Sequence, residues 1–277
     1  MRKILSILLS TMILVSLVGC SSSKEEPANA LEKVLDSGKL VVAISPDFAP
    51  NEFIDVNKTG QDAVVGCDVE LAKYIADYIG VELVIEQMDF NSCLAAVPAG
   101  GVDISVSAFA KTAEREKNLE CSIGYTWQSS NNEANGLLVL KENVSKYNTA
   151  ESFAGTTIAA QLGSIQYGYI GVELPTDVVI EPISTLGDGV ILLTTGKVDA
   201  VATACEPGIQ FAKNYDEIDL AEYKFISAED DTVVIAKKGE TELMEKVNEA
   251  MTKAQEDGMF PKWYDEAIAL ADELGVE

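Results

Sequence analysis

One arginine lies beyond position 20, against 17 lysines, and its setting has the makings of an anion receptor. Arg115 falls in residues 102–125, VDISVSAFAKTAEREKNLECSIGY. A short apolar strand over 102–106 is expected to feed a loop of small residues, Ser107-Ala108-Phe109-Ala110. Thr112 then has the side chain of an N-cap, and the helix it opens carries Glu114, Arg115 and Glu116 in its first turn. Spare N–H groups at a helix start favour negative charge, and a guanidinium grips a carboxylate through two parallel hydrogen bonds. Lysine, a point charge on a flexible stem, offers no such fork. The competing reading is a surface arginine paired with Glu114 or Glu116, a common and weak arrangement.

The same device recurs further on. A strand over 156–160 runs into Gln161-Leu162-Gly163-Ser164, and a helix is expected from there through Tyr169. The competing reading of Gly163 is a glycine needed only for the turn. Other chemistry is excluded by composition. The chain has no histidine, so Ser-His-Asp and Cys-His mechanisms are ruled out and the commonest metal ligand is missing. Neither a metal nor a cofactor is called for. Cys67, Cys93, Cys121 and Cys205 lack CxxC spacing and sit in apolar segments. Three pairings are open to an exported protein, but small buried free thiols are the favoured expectation.

Met1-Arg2-Lys3 is a basic start, 4–15 an apolar run, and Leu17-Val18-Gly19-Cys20 has the small residue before cysteine that lipoprotein processing requires. We therefore expect a signal peptide over 1–19, lipid on Cys20, and a flexible linker over 20–30. The alternative, an uncleaved anchor, has an apolar run short for a bilayer. Beyond position 19 the chain has 18 basic and 45 acidic residues, a net charge of −27. So acidic a surface repels nucleic acid and anionic lipid, leaving a lipid on Cys20 as the expected membrane contact.

The elements that must position these residues alternate between strand and helix, which predicts an α/β fold with largely parallel sheets. Strands are expected over 40–44, 53–56 and 81–85, with helices over 31–37, 67–79 and 92–97. A polar run at 128–135 precedes strands over 136–140, 178–180 and 198–201 and a helix over 186–195. Residues 232–236 read as a strand crossing back, before helices over 244–255 and 260–274. The 258 residues after position 19 suit two lobes of about 100–150 residues each. The expected division is 31–127 with 231–277 for lobe I, and 128–230 for lobe II.

The run GGVDISVSAFAKTAER resembles the segment G-K-x-D-x-x-x-x-G-M-T-x-T-x-x-R of the polar amino acid family of extracellular solute-binding proteins, the receptors of ABC importers. VVGCDVELAKYIADYIGVEL is similar to its G-[FY]-D-x-[DE]-L helix, with Cys67 where an aromatic is usual. Asp68 and Glu70 on that helix read as solvated or capping charges. The resemblance spans roughly residues 36–265. It implies a two-lobe periplasmic-binding-protein fold, a hinge between the lobes, a monomer, and docking of the closed lobes on a membrane permease.

For the site, the resemblance implies that Arg115 clamps an α-carboxylate with help from the backbone around Ser107, Ala108, Ala110 and Thr112. The loop Pro46-Asp47-Phe48-Ala49-Pro50-Asn51-Glu52 matches the family's aromatic-proline loop. Phe48 and Phe90 would then flank the ligand's apolar part, with Asn51 or Glu52 at its polar end. Gly163 and Ser164 stand in the V-Q-x-G-T-T loop, with Ile165 replacing its second threonine. Where relatives place an acid for the ammonium group, this chain has Ala204, and the nearest carboxylate is Glu206, expected on a loop that bulges or is solvated. Cyclohexadienyl dehydratases also resemble the family. That rival reading needs a cleft acid of raised pKa, from Glu206 or Glu52.

Overall fold

In the computed structural model, the described residues are 27–127, 135–226 and 231–275. The expected signal peptide, Cys20, most of the linker and nearly all of the polar run at 128–135 lie outside them. The first stretch holds α1 (Ala30–Ser37), β1 (Lys39–Ile44), β2 (Phe53–Ile54), β3 (Val64–Val65), α2 (Cys67–Ile79), β4 (Glu82–Gln87), α3 (Phe90–Ala99), β5 (Ile104–Ala110), α4 (Ala113–Asn118) and β6 (Leu119–Cys121). The second holds β7 (Asn135–Leu140), β8 (Thr157–Gln161), α5 (Ile165–Glu173), β9 (Val179–Ile183), α6 (Leu186–Thr194), β10 (Ala200–Ala204), α7 (Cys205–Asn214) and β11 (Ile218–Lys224). β12 (Thr232–Lys237), α8 (Thr241–Glu256) and α9 (Met259–Leu274) follow.

These elements form two lobes, each around a five-stranded sheet. In the first, β4, β1 and β5 run parallel, and β12 returns antiparallel between β5 and β6. In the second, β10, β8 and β9 are parallel, while β7 lies antiparallel between β11 and β10. Parallel strands covered on both faces must be apolar throughout. Leu40, Val42 and Ile104 accordingly pack with Leu71 and Ile75 of α2 and Val247 of α8, while Ala43, Phe109 and Val233 face Cys93 and Val97 of α3. Among the described residues no helix is long and apolar enough to cross a membrane.

Three local expectations are corrected. Residues 107–110 are not a loop but the second half of β5, where the register with β12 breaks between Val233 and Ile235. Small residues hid the strand, and β12, arriving from far along the chain, pairs with it. Helix α3 runs through Pro98 to Ala99, and its end is set by Gly100, at φ 73, whose N–H donates to the Ala96 and Val97 carbonyls. Glu206 lies in the first turn of α7 and not on a loop; Pro207, next to it, falls where its missing N–H costs no helical bond. Cys67, Cys93, Cys121 and Cys205 are free thiols.

Gly66 shows how the fold delivers the site loop. It has φ 128, and a Cβ there would stand 2.1 Å from the Asn51 carbonyl oxygen. The Cys67 and Asp68 N–H groups donate to Pro50 O and Asn51 O, so the loop lies directly on the start of α2. Gly66→Ala is expected to cost on the order of 1–3 kcal/mol in backbone strain alone. A urea midpoint equal to wild type would show that the loop moves away without penalty.

Candidate functional site

The loops after β1 and β8, the start of α7 directly after β10 and the second half of β5 meet between the lobes, at the carboxyl ends of the strands, where α/β proteins bind ligands. They enclose a cleft of about 140 Å³. Of the expected site residues, the fold brings Phe48, Asn51, Glu52, Phe90, Ser107, Ala108, Ala110, Arg115, Ser164 and Glu206 onto its walls. Thr112 and Gly163 line a groove behind Arg115 instead.

Arg115 is buried, 8% exposed. Thr112 caps α4 by accepting the Arg115 N–H at 3.1 Å, which sets where the side chain departs. Nη1 donates to Ala110 O at 2.6 Å and Nη2 donates to Gly163 O, on the other lobe, at 3.0 Å. The guanidinium carbon lies 5.7 and 5.5 Å from the ring centroids of Phe90 and Phe109, close enough for cation–π attraction. Thus Phe90 supports the arginine as well as lining the cleft. Glu116 pairs with Lys111 at 3.3 Å. On the opposite wall Ser164 caps α5, its hydroxyl accepting the Tyr167 N–H at 3.1 Å. The Glu206 carboxylate accepts from Gln210 Nε2, one turn along α7, at 3.2 Å.

Asp68 departs most from its expected role. It is fully buried; its Oδ2 accepts the Ala108 N–H at 2.7 Å and its Oδ1 the Tyr125 hydroxyl at 2.9 Å. Ala108 has φ 46, so this bond steadies a backbone conformation that non-glycine residues seldom adopt. Glu52, 1% exposed, lies beside Asp68 and Ser107. Burial, with the Asp68 charge beside it, pushes Glu52 well above the usual glutamate range. Burial also raises Asp68, while the Ala108, Glu52 and Tyr125 bonds pull it back. Both shifts favour a proton shared by the pair, with Glu52 the group pushed further up. Glu70, by contrast, is a surface charge paired with Lys73 at 2.7 Å.

Sequence reasoning missed other residues of the cleft, among them Asp47, Asn135, Gln161, Gln166 and Asp231. Asp47 stood beside Phe48 in a loop already singled out, which was the available signal. Asn135 and Gln166 are both buried and bonded to each other at 2.7 Å across 31 residues, a pairing no local pattern announces.

A family model for bacterial extracellular solute-binding proteins, family 3, matches residues 40–268. The arginine-binding extracellular protein ArtP of Bacillus subtilis is 30% identical over 265 residues, covering 95% of this chain and 96% of that one. An amino acid ABC transporter substrate-binding protein, AbpA of Streptococcus pneumoniae, solved bound to L-arginine, superposes with a TM-score of 0.80 at 33% identity, covering 89% of this chain and 99% of the other. ArgBP of T. maritima, solved as a mutant, gives a TM-score of 0.78 at 25% identity over 87% of this chain and 99% of its own.

Proposed function

This chain belongs to the bacterial extracellular solute-binding proteins of family 3, and on that premise we propose that it captures an amino acid with a cationic side chain between its lobes and delivers it to an ABC importer. The observation that carries this reading is the charge balance of the cleft. Arg115 is the one basic residue among the described residues of its walls, against Glu206 and Asp231, with Asp47 bonded across the lobes and Glu52 set beside Asp68. A ligand with one carboxylate and two cationic groups matches that set, and its burial demands such pairing. ArtP is arginine-binding by name, AbpA was solved bound to L-arginine and ArgBP of T. maritima was solved arginine-bound, in keeping with this choice.

In this reading Arg115 and the backbone of residues 107–110 hold the α-carboxylate, with Ser164 opposite. Thr112 and Gly163 act by fixing the guanidinium. Phe48 and Phe90 flank the aliphatic stem, and Asn51 and Glu52 meet its polar end. Calorimetry against L-arginine, L-glutamine and L-glutamate tests it. One-to-one binding tightest for L-arginine is expected; L-glutamate as the tightest would overturn the cationic choice, and silence with all three would overturn the amino acid reading.

Glu206 is assigned the α-ammonium group, in place of the acid that Ala204 does not supply. Glu206→Gln is expected to weaken L-arginine far more than its desamino analogue, since an ammonium in a buried cleft without a counter-charge is strongly disfavoured. Equal losses for the two ligands would remove Glu206 from that role.

The dehydratase alternative is not favoured, because the relatives are binding proteins by description. We take lobe I as 31–127 with 231–277 and lobe II as 128–230, joined by a hinge whose bending closes the cleft. We also take residues 1–19 as a signal peptide and the mature protein as a monomer tethered through a diacylated Cys20, since a single acyl chain anchors weakly. Membrane-extracted protein should then have an intact mass that begins at Cys20 with added lipid, and a Cys20→Ser variant that stays fully membrane-bound would refute the tether.

A further inference from the structure

We propose that Asp47 is a latch between the lobes, a lobe I carboxylate that stabilises the closed cleft by bonding the end of β8 and the start of α6 on lobe II. The inference rests on the receptor reading only for what closure serves; the contact itself requires no particular solute.

Asp47 is held from its own lobe. Its N–H donates to Ser45 O at 2.9 Å, and the Ser45 hydroxyl donates to its Oδ1 at 2.9 Å. Its Oδ2 reaches across. There it accepts from Gln161 Nε2 at 2.8 Å and from the Leu186 N–H at 2.8 Å. Gln161 is buried and also donates to Ser184 O at 3.2 Å, so its amide is fixed before the lobes meet. Leu186 is the first residue of α6, and the helix's own cap, Thr185, accepts the Asp188 N–H. The Leu186 N–H is one of the leading donors for which a helix has no internal partner. A carboxylate is the group most favoured there. Both Asp47 oxygens are thus occupied by protein donors, which separates this residue from the other acids of the cleft. The partners lie 114 and 139 residues away along the chain, and only closed lobes bring them together.

The latch carries a pH signature. Burial, with Asp89 adding repulsion, outweighs the Leu186 and Ser45 bonds and holds Asp47 at about 6. The other titratable groups around it are Glu52 in its own loop, Asp89 and Cys93 at the start of α3, and Asp188 in the first turn of α6. In open lobes Asp47 regains water and its ordinary value near 3.8. The closed form then binds the proton more tightly, so closure strengthens as pH falls through 6, by about tenfold between pH 7.5 and 5. A neutral carboxyl still accepts the Leu186 N–H, so protonation does not break the latch.

The test uses the full chain with a fluorophore on each lobe, read by single-molecule energy transfer without solute, and L-arginine as the probe ligand in stopped flow. Asp47→Ala is expected to shift the solute-free population toward open lobes and to speed L-arginine release at least tenfold. Gln161→Ala should do so partially. Asp47→Asn, which keeps an acceptor oxygen and has no charge to bury, should close at pH 7.5 at least as well as wild type and lose the change between pH 7.5 and 5. The proposal is overturned if Asp47→Ala leaves the lobe distribution unchanged, or if wild type is open at both pH values, or if Asp47→Asn keeps the wild-type pH response. Failure of L-arginine to bind wild type would instead count against the proposed solute, with the energy-transfer arm still deciding the latch.

Discussion

Arg115→Ala is expected to weaken L-arginine capture by about 2–5 kcal/mol, the penalty for leaving a desolvated charge without its partner. That is at least a thirtyfold loss, mostly in the dissociation rate. The effect should be large because the guanidinium is pre-organised: Ala110 and Gly163 carbonyls fix its plane and the Phe90 and Phe109 rings support it. Arg115→Lys should fail nearly as badly, since an ammonium cannot make two parallel bonds to a carboxylate while also reaching both carbonyls. Wild-type affinity in either variant, measured by calorimetry, would show that the carboxylate binds elsewhere.

Asp68→Ala is expected to destabilise the fold by about 3–5 kcal/mol, as does removal of one partner from a buried ionic network. It would strand the Ala108 N–H, the Tyr125 hydroxyl and the Glu52 proton in a region closed to water. Ligand binding should fall with it, because Ala108 at φ 46 lies on the cleft wall. Glu52→Gln separates the two carboxyls, as an amide can still donate to Asp68. In wild type the folded chain keeps the Glu52 proton above the usual glutamate value of 4.5, whereas the unfolded chain releases it. The Glu52 contribution to stability therefore declines as pH rises from 4.5, and Glu52→Gln should gain on wild type over that interval. Urea midpoints whose difference stays constant from pH 4.5 to 7 would show Glu52 ionised in the fold.

Much of the framework was legible along the chain. Helix α2 begins and ends where its apolar period and Gly80 place it, and Thr112 caps α4 as a threonine ahead of a polar turn should. The one arginine beyond position 20 and the Gly163 loop are likewise local features, fixed by residue type within a few positions. Caps, helical periods and turn glycines act over one or two turns, so sequence order alone exposes them.

Asp68 and Glu70 mark the limit. Two positions apart in the first turn of α2, they read alike as surface charges, yet one is fully buried and the other pairs with Lys73 at the surface. What separates them is the approach of Ala108 and Tyr125, 40 and 57 residues downstream. The same holds for β5, made a strand along 107–110 by pairing with β12, and for Asp47, whose partners stand on the other lobe. The chain by itself determined an α/β fold and marked one arginine at a helix start as a candidate anion-binding group. Tertiary structure alone decided which acids keep a proton, because desolvation and partner choice depend on what closes over a carboxylate, and those groups come from segments far away in sequence.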